Sequence, residues 1–296
     1  MKITDKYIKS PLNYVGGKYK LLSQIIPRFP QKISTFVDLF GGGFNVGVNV
    51  TAEHIVYNDI CQQVSDLLSK FYRQDYDEIH KKLCDLISEY GLSRSDLYGY
   101  EYYNCNSNDG LGSYNKTGYL KLRNDYNSNP DYLKFYALIT CSFSNQIRFN
   151  SKGQFNMPYG KRDYNKSLQA KLKDFIETLN KKNIEFNCIS FDKFNFSNLD
   201  ENSFVYCDPP YFSSVATYNE SGGWTEQNEQ DLLNLLDELN GKGIRWALSN
   251  NLKYDNPLLD KWKDKYNVHY LNGDYSNCNY HKKDKSADIE VLITNY

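Results

Sequence analysis

The segment Asp208–Tyr211, with the sequence Asp-Pro-Pro-Tyr, brings together a carboxylate, two rigid prolines and an aromatic ring. It follows the apolar run 203–207, which predicts a buried strand. A planar base with an exocyclic amine suits this group, because the amine can donate to the carboxylate and to a backbone carbonyl while the base stacks on the ring. The alternative is a Pro-Pro turn with a surface tyrosine. The candidate catalytic residues are Asp208, Pro209, Pro210 and Tyr211.

A glycine-rich segment, Asp38–Gly43, begins within a predicted strand at 35–40 and ends in three consecutive glycines. The next predicted strand, 54–58, ends at Asp59. A strand, a glycine loop, a second strand and then an acid are typical of a nucleotide-binding α/β half, in which the acid binds ribose hydroxyls. Neither this loop nor Gly16-Gly17-Lys18 continues as the Gly-Lys-Ser/Thr of a P-loop. The pattern therefore favours a nucleoside ligand without a triphosphate.

The charge of the 296-residue chain is unevenly distributed although its net value is −1. Residues 144–173 contain seven basic side chains and one acid, so this window carries +6 and the remainder −7. One basic face on a mildly acidic body suits a protein that grips phosphates on one side. A solvated basic loop and helix is the alternative interpretation.

Cysteine and histidine usage points away from disulfides and metals. The seven cysteines are odd in number and form no Cys-x-x-Cys, which favours a reducing, cytoplasmic compartment. The four histidines lack the spacing of metal ligands, so we expect no metal. We find no signal peptide and no apolar run near 18 residues, and we therefore expect no membrane association.

Alternating strands and helices in the last third predict an α/β fold with a mostly parallel sheet. Strands are expected at 35–40, 54–58, 184–189, 203–207, 244–249, 266–271 and 288–294. Helices are expected at 18–26, 45–51, 61–90, 120–126, 131–143, 166–180 and 225–240. A long loop is expected at 96–118 and a hairpin at 146–159. The helical, basic middle of the chain is then an insertion, with residues 1–60 and 166–296 forming the catalytic domain and 61–165 a target-recognition domain.

Several motifs in one order resemble the Dam family of DNA adenine-N6 methyltransferases, the α group or D12 class. They are Tyr14–Lys18, Phe36–Gly43, Asn58-Asp59, Arg148–Gly160 and Asp208–Tyr211. The resemblance continues through Trp246–Asn250 and Asp288–Ile293, and is greatest to the T-even phage members. It implies a Rossmann-like S-adenosylmethionine-dependent methyltransferase sheet with an inserted, mainly helical DNA-recognition domain that carries a β-hairpin.

The resemblance also implies an activity: transfer of a methyl group from S-adenosylmethionine to a flipped adenine in double-stranded DNA, within GATC. N4-cytosine methylation uses the same Asp-Pro-Pro-Tyr geometry and is one alternative. A non-catalytic DNA-binding module is the other. The expected setting is the cytoplasm of a bacterial or phage-infected cell, with restriction-modification, phage and housekeeping roles, and a partner nuclease, left open.

Site residues follow from the same resemblance, position by position. The implied cofactor-binding residues are Tyr14, Lys18, Asp38, Phe40, Gly41, Asp59, Ser190, Phe191 and Asp208. Among them Asp59 would hold the ribose and Ser190 and Phe191 would border the adenine of the cofactor. The implied DNA-binding residues are Ser144, Gln146, Arg148, Asn150, Pro158, Lys161 and Arg162. Arg162 would read guanine O6 and N7, and Lys161 would contact phosphate.

Overall fold

The computed structural model describes residues 7–212, 223–272 and 289–296. Its strands are β1 Thr35–Asp38, β2 His54–Asn58, β3 Ile184–Asn187, β4 Phe204–Cys207, β5 Arg245–Asn251, β6 Asn267–Leu271 and β7 Glu290–Thr294. Its α-helices are α1 Leu22–Ile25, α2 Gln62–Phe71, α3 Tyr76–Glu89, α4 Ser95–Tyr98, α5 Gly112–Ser128, α6 Tyr132–Cys141, α7 Lys166–Leu179, α8 Glu226–Gly241 and α9 Pro257–Trp262.

The strands form a seven-stranded sheet in the order β3-β2-β1-β4-β5-β7-β6. Strands β1 to β5 run parallel, and β7 is antiparallel to both β5 and β6. The predicted mixed α/β fold with a mostly parallel sheet is confirmed. The strand order reverses between β1 and β4, and ligands of open α/β sheets bind at the carboxyl ends of the strands at such a point.

The two faces of the sheet bury different side chains, because successive residues of a strand point to opposite sides. Phe36, Tyr57 and Phe204 belong to the core on one face. Val37 and Val205 belong to the core on the other face. Such strands carry apolar residues without interruption, which is why β1, β2 and β4 were recognisable in the sequence.

The middle of the chain packs its helices against the first of these cores. Helices α2, α3, α5, α6 and α7 contribute buried residues to the same continuous cluster as the sheet. Side-chain caps define three of the helix starts: Asp75 accepts from Glu78 N, and Asp131 and Asn165 act likewise for α6 and α7. The division into a catalytic domain and an inserted recognition domain at 61–165 stays a prediction.

The predicted helix at 45–51 was wrong, since the structure has a single 3-10 turn there, Gly47–Asn49. The Asp38 carboxylate accepts from Gly47 N at 2.9 Å, which pins the chain where it leaves the glycine loop. A Cβ on Gly47 would lie 2.1 Å from the Phe44 ring, so the turn is packed too tightly for an ordinary helix side chain. The predicted helix at 61–90 is two helices, broken by residues 72–75, where Arg73 has φ 61°.

The predicted loop at 96–118 is also shorter than expected. Helix α5 begins at Gly112, and its interior contains Gly118. A Cβ on Gly112 would lie 3.0 Å from the carbonyl oxygen of Gly160, and a Cβ on Gly118 would lie 2.2 Å from the carbonyl oxygen of Tyr90. These glycines permit close packing inside a helix, and in the sequence they look like loop residues.

The predicted hairpin at 146–159 has the expected reversal but little regular strand pairing. Two isolated bridges, Ser142 with Tyr159 and Phe149 with Phe155, connect its arms. The backbone of Phe155 instead exchanges hydrogen bonds with the Asn127 side chain of α5, at 2.9 and 3.1 Å. Helix α9 was not predicted. Asp288, at the start of the last predicted strand, lies outside the described residues. No helix among those residues combines the length and apolarity needed to cross a membrane.

Candidate active site

The acids singled out in the sequence meet at the carboxyl edge of the sheet. Asp38 is the last residue of β1, and it is in register with Tyr57 of β2 and Tyr206 of β4. Asp59 therefore emerges on one side of Asp38, and Asp208 on the other. The point where the strand order reverses is thus lined by three carboxyl groups.

The glycine loop is held against β2 by hydrogen bonds to the second acid. Asp59 accepts from Gly42 N with one oxygen and from Cys61 N with the other, both at 2.8 Å. A Cβ on Gly41 would lie 2.4 Å from the ring of the buried Tyr57, so this position requires glycine. Burial raises the pKa of Asp59 above its usual range, while the two backbone donors oppose that rise. Each carboxylate oxygen keeps a lone pair for a further donor.

Asp38 is the most deeply buried of the three acids, with 1% of its surface exposed. Burial raises the pKa of Asp38 to about 8. The hydrogen bond from Gly47 N opposes this rise, and repulsion from Asp208 and Asp59 adds to it. A cation placed beside Asp38 would favour the ionised carboxylate and reverse part of this shift.

Asp208 is paired with a buried lysine. Lys18 Nζ lies 2.7 Å from Asp208 Oδ1 and also donates to the Gly16 carbonyl at 2.8 Å. Burial raises the pKa of Asp208, and the Lys18 ammonium opposes that rise. The same ammonium lies 5.0 Å from the centre of the Tyr211 ring. Among the described residues only Lys18 bonds this carboxylate, so its second oxygen is open to a further donor.

The Tyr211 hydroxyl is hydrogen-bonded to Glu290, in the last strand of the chain. It donates to Glu290 Oε2 at 3.1 Å, and Asn251 Nδ2 donates to Glu290 Oε1 at 3.0 Å. Burial raises the pKa of Glu290, Lys18 lowers it, and Asp208 raises it further. Neither Glu290 nor Asn251 was among the predicted site residues. A glutamate inside the apolar run of β7 was the available signal, because an acid is rarely buried without a partner.

Three aromatic rings stand together beside the loop that follows β1. The Phe40 and Phe191 centroids are 5.5 Å apart, and Trp224 lies 5.7 Å from the first and 5.4 Å from the second. Trp224 Nε1 donates to the buried Glu229 at 2.6 Å, and Asn256 donates to the same carboxylate at 2.8 Å. The sequence predicted Phe40 and Phe191 but not Trp224, which lies far along the chain.

Asn58 and Tyr14 tie the predicted cofactor-binding segments together. Asn58 Nδ2 donates to the carbonyls of Leu39 and Ile189, both at 3.0 Å, so the ends of β1 and β3 are joined through β2. Ser190, which follows, bonds its hydroxyl to Asp192. Tyr14 packs over the glycine loop, where a Cβ on Gly42 would approach its ring to 3.0 Å. The predicted cofactor-binding residues thus lie along the same carboxyl edge.

The predicted DNA-binding residues form a second, exposed group. Ser144, Arg148, Pro158, Lys161 and Arg162 are exposed, and Gln146 and Asn150 are half-buried. Ser144 has the unusual φ of 54°, and its carbonyl accepts from Asn13 at 2.7 Å. The Asn150 side chain accepts from Lys152 N and Gln154 N, both at 3.0 Å, so it shapes the turn itself.

The segment 95–110 packs beside Lys161 and Arg162. Arg162 Nη1 donates to the Tyr100 hydroxyl at 2.9 Å, and Lys161 Nζ donates to the Asn108 carbonyl at 2.8 Å. Directly after Arg162 in the sequence, the buried Asp163 accepts from the hydroxyl and backbone N–H of Ser95 at 2.6 and 2.8 Å. No local pattern in the sequence indicated this contact.

The sequence profile of the D12 class N6 adenine-specific DNA methyltransferases matches residues 14–277. The chain belongs to this family. It is 44% identical to the type II methyltransferase M.FokI of Planomicrobium okeanokoites, over 99% of this chain and 44% of that protein. It is 38% identical to the modification methylase StsI of Streptococcus sanguinis, over 99% and 44% respectively. It is 27% identical to the DNA adenine methylase of Escherichia coli K12, over 88% and 86%. The chain spans less than half the length of the first two relatives.

The carboxyl edge of the sheet is where the predicted catalytic and cofactor-binding residues lie. It presents acids, a tight glycine loop and aromatic rings. Within residues 7–212, 223–272 and 289–296, no three His, Cys, Asp or Glu side chains are grouped as metal ligands. His281 and Cys278 lie outside those ranges.

Proposed function

We propose that this chain transfers a methyl group from S-adenosylmethionine to N6 of an adenine in duplex DNA. The observation that carries the proposal is the arrangement at the end of β4. There Asp208 has one oxygen held by Lys18, and Tyr211 has its ring beside the same ammonium. A carboxylate with one free oxygen and a fixed aromatic face match an exocyclic amine and the planar ring that bears it.

The residues present fit S-adenosylmethionine. Asp59 would accept from the ribose hydroxyls through its free lone pairs, and Asp38, with its pKa of about 8, would gain a counter-ion in the amino group of the methionine moiety. Phe40, Phe191 and Trp224 offer apolar faces for the adenine of the cofactor. The bound cofactor supplies a methyl group on a positively charged sulfur.

Asp208 would act by orienting the target amine. The amine nitrogen of adenine is a weak nucleophile because its lone pair is delocalised into the ring. Donation from that amine to Asp208 and to the Pro209 carbonyl favours a pyramidal nitrogen, whose lone pair points at the methyl carbon. S-adenosylmethionine would supply the methyl group, with the neutral thioether as the leaving group, and the proton lost from the methylated nitrogen would pass to Asp208 or to water. Positioning and electrostatics carry most of the rate, so Asp208 need not remove that proton beforehand.

Tyr211 would hold the base outside the helix. A base inside a duplex must be flipped out before N6 can be reached, at a cost of a few kcal/mol. Stacking on an aromatic ring returns about 1–3 kcal/mol. Pro210 stiffens the turn between the carboxylate and the ring, which keeps their separation constant.

The exposed group around 144–162 would read the DNA, with Arg162 donating to guanine O6 and N7. We propose GATC as the target sequence. Support comes from the resemblance of the motif at 148–160 to the Dam family. The resemblance to the T-even phage members and the cytoplasmic location stay predictions, and the choice among restriction-modification, phage and housekeeping roles stays open.

The test of the reaction is transfer of tritiated methyl groups to duplexes, followed by digestion and separation of nucleosides. We expect the label in N6-methyladenine. Label in N4-methylcytosine would establish the alternative activity, and a protein that binds duplex DNA without transferring label would be the non-catalytic module. Asp208→Ala, assayed beside the natural chain, controls for a contaminating methylase.

A separate measurement addresses the sequence that is read. A library of duplexes with randomised positions, methylated and then sequenced by a method that detects N6-methyladenine, gives the target directly. We expect enrichment of GATC. Enrichment of another adenine-containing sequence would replace GATC and leave the proposed chemistry intact.

A further inference from the structure

Glu290 is a charged residue in an otherwise apolar strand. All five residues of β7 are buried, and Glu290 is 4% exposed. It is in antiparallel register with Asn251 of β5 on one side and Leu271 of β6 on the other. A carboxyl group so placed is costly unless its oxygens are hydrogen-bonded, so its partners explain its presence.

Both oxygens of Glu290 have a partner, and the partners lead to the base-binding ring. Oε1 accepts from Asn251 Nδ2 at 3.0 Å, and Oε2 accepts from the Tyr211 hydroxyl at 3.1 Å. The Asn251 amide is itself fixed, because its Oδ1 accepts from Lys253 N at 3.0 Å and from Ile289 N at 3.3 Å. The sheet therefore holds the phenol oxygen through two side chains.

Tyr211 is not part of a regular secondary-structure element, and it lies beyond the end of β4. Its ring also faces Tyr254 at 6.2 Å and the Lys18 ammonium at 5.0 Å. Of these contacts, the bond to Glu290 fixes the far end of the side chain, and because a phenol O–H prefers the plane of its ring, it also favours a ring plane that contains the acceptor. A stacking surface is effective only when its plane is parallel to the base.

We propose that Glu290, supported by Asn251, is a positioning residue that orients the Tyr211 ring to receive the flipped base. The inference rests on the proposed function, because it assumes that a base stacks on Tyr211. It adds a residue from the last strand of the sheet to the base pocket. It also explains why a buried strand contains a glutamate at the position beside Asn251.

The experiment is a double-mutant cycle with two readouts. Glu290→Ala removes the acceptor, Tyr211→Phe removes the donor but keeps the ring, and the double variant removes both. One readout is kcat for methyl transfer to duplex DNA. The other is the fluorescence of 2-aminopurine substituted for the target adenine, which rises when the base leaves the stack. Cofactor affinity, measured by calorimetry with S-adenosylmethionine, serves as the control for the remainder of the site.

Each single variant is expected to lower kcat by about tenfold, the effect of losing one hydrogen bond to a charged group. Each should also reduce the 2-aminopurine signal at saturating enzyme, while cofactor affinity changes less than about twofold. The double variant should be no worse than the more impaired single one, because both changes remove the same bond. Glu290→Gln should restore most of the signal, since its amide can bond Tyr211 with one end and Asn251 with the other.

Additive losses in the double variant would overturn the inference, and so would a Tyr211→Phe variant equal to the natural chain in both readouts. The second result is decisive even if Glu290→Ala does not fold, because Tyr211→Phe leaves the core of β7 untouched. If the natural chain transfers no label to DNA, the proposed function fails instead. The two failures are therefore distinguishable.

Discussion

The carboxyl edge of the sheet and the exposed segment 144–162 hold their functional side chains in opposite ways. At the edge, Asp38 and Asp59 are no more than 9% exposed, and backbone N–H groups bond both. In the exposed segment, Arg148 bonds Asn156 at 2.8 Å and Arg162 bonds Tyr100 at 2.9 Å, with both guanidinium groups open to solvent. The first region is ordered by buried hydrogen bonds before a ligand arrives, whereas the second presents its donors to solvent.

This difference determines what a substitution does in each region. At the edge a lost side chain leaves a buried polar partner unsatisfied, at about 1–3 kcal/mol, so that stability and activity change together. In the exposed segment water replaces the lost contact in the free protein, and the change appears when DNA binds. The comparison therefore predicts coupled effects in one region and DNA-dependent effects in the other.

The largest expected effect is that of Asp208→Ala. Methyl transfer should fall by at least about 10²–10³-fold, the usual result of removing a pre-organised partner of the reacting group. The variant should also be less stable by about 3–5 kcal/mol, because the Lys18 ammonium, 3% exposed, loses its buried partner. Thermal unfolding and single-turnover transfer measure the two.

Asp208→Asn is the matched control for this change. Its amide oxygen can still accept from Lys18 but carries no charge, so part of the stability should return while transfer stays low. A stable Asp208→Ala variant with turnover within tenfold of the natural chain would contradict the coupling and remove Asp208 from its role.

The next effect is a pH dependence centred on Asp38. Its pKa is raised from 3.8 to about 8, so the folded chain binds more protons than the unfolded chain between these values. The free energy of unfolding should therefore fall as the pH rises through that range. S-adenosylmethionine should bind more tightly over the same range, by up to about tenfold per pH unit, because its amino group favours the ionised carboxylate.

Asp38→Asn should weaken cofactor binding near pH 8. It should also remove the pH dependence of the free energy of unfolding and of cofactor affinity, since an amide does not titrate. Calorimetric titrations and unfolding curves from pH 6 to 8.5 give the slopes. Slopes that persist in the variant would assign the titration to Asp59 or Asp208, whose pKa values burial also raises.

How far the sequence could go differs between the two regions for a physical reason. The apolar runs at 35–40, 54–58 and 203–207 indicated strands that contain or precede Asp38, Asp59 and Asp208, and parallel strands place their carboxyl ends at one edge, so the meeting of these acids was predictable. The bond from Tyr211 to Glu290 joins residues 79 apart in sequence, and nothing local encodes it. The loop at 96–118 was predicted too long because Gly112 and Gly118, which permit close packing within α5, resemble loop residues.

A smaller effect at the edge is expected from Gly41→Ala. The added Cβ would lie 2.4 Å from the Tyr57 ring, which is completely buried and cannot move aside. Overpacking of this kind costs about 1–3 kcal/mol of stability, and displacement of the loop should weaken cofactor binding as well. Gly241→Ala is the control, because a Cβ there meets no atom within 4 Å. Equal unfolding curves for the two variants would refute the tight fit of the glycine loop.

In the exposed segment, Arg162→Ala should leave the unfolding curve unchanged and act on sequence discrimination. Losing a bidentate contact to guanine costs about 1–3 kcal/mol at that base pair. Lys161→Ala should instead weaken binding to all duplexes alike and lower the salt dependence by about one phosphate contact. Rates of methylation on a panel of single-base-pair substitutions, at two salt concentrations, separate these outcomes.

Tyr100→Phe refines this last comparison, because it removes the bond to Arg162 but leaves the guanidinium in place. If Tyr100 only accepts from an Arg162 N–H that can turn to guanine instead, the discrimination between base pairs should change by less than about 0.5 kcal/mol. If the bond aims Arg162 at the groove, the loss should approach about 0.5–1.5 kcal/mol at the same base pair as in Arg162→Ala. We expect the second result, since the Arg162 guanidinium also lies 5.9 Å from the Tyr100 ring centre and is directed by two contacts. A loss at a different base pair would show that Tyr100 touches DNA itself and that the exposed segment extends beyond 144–162.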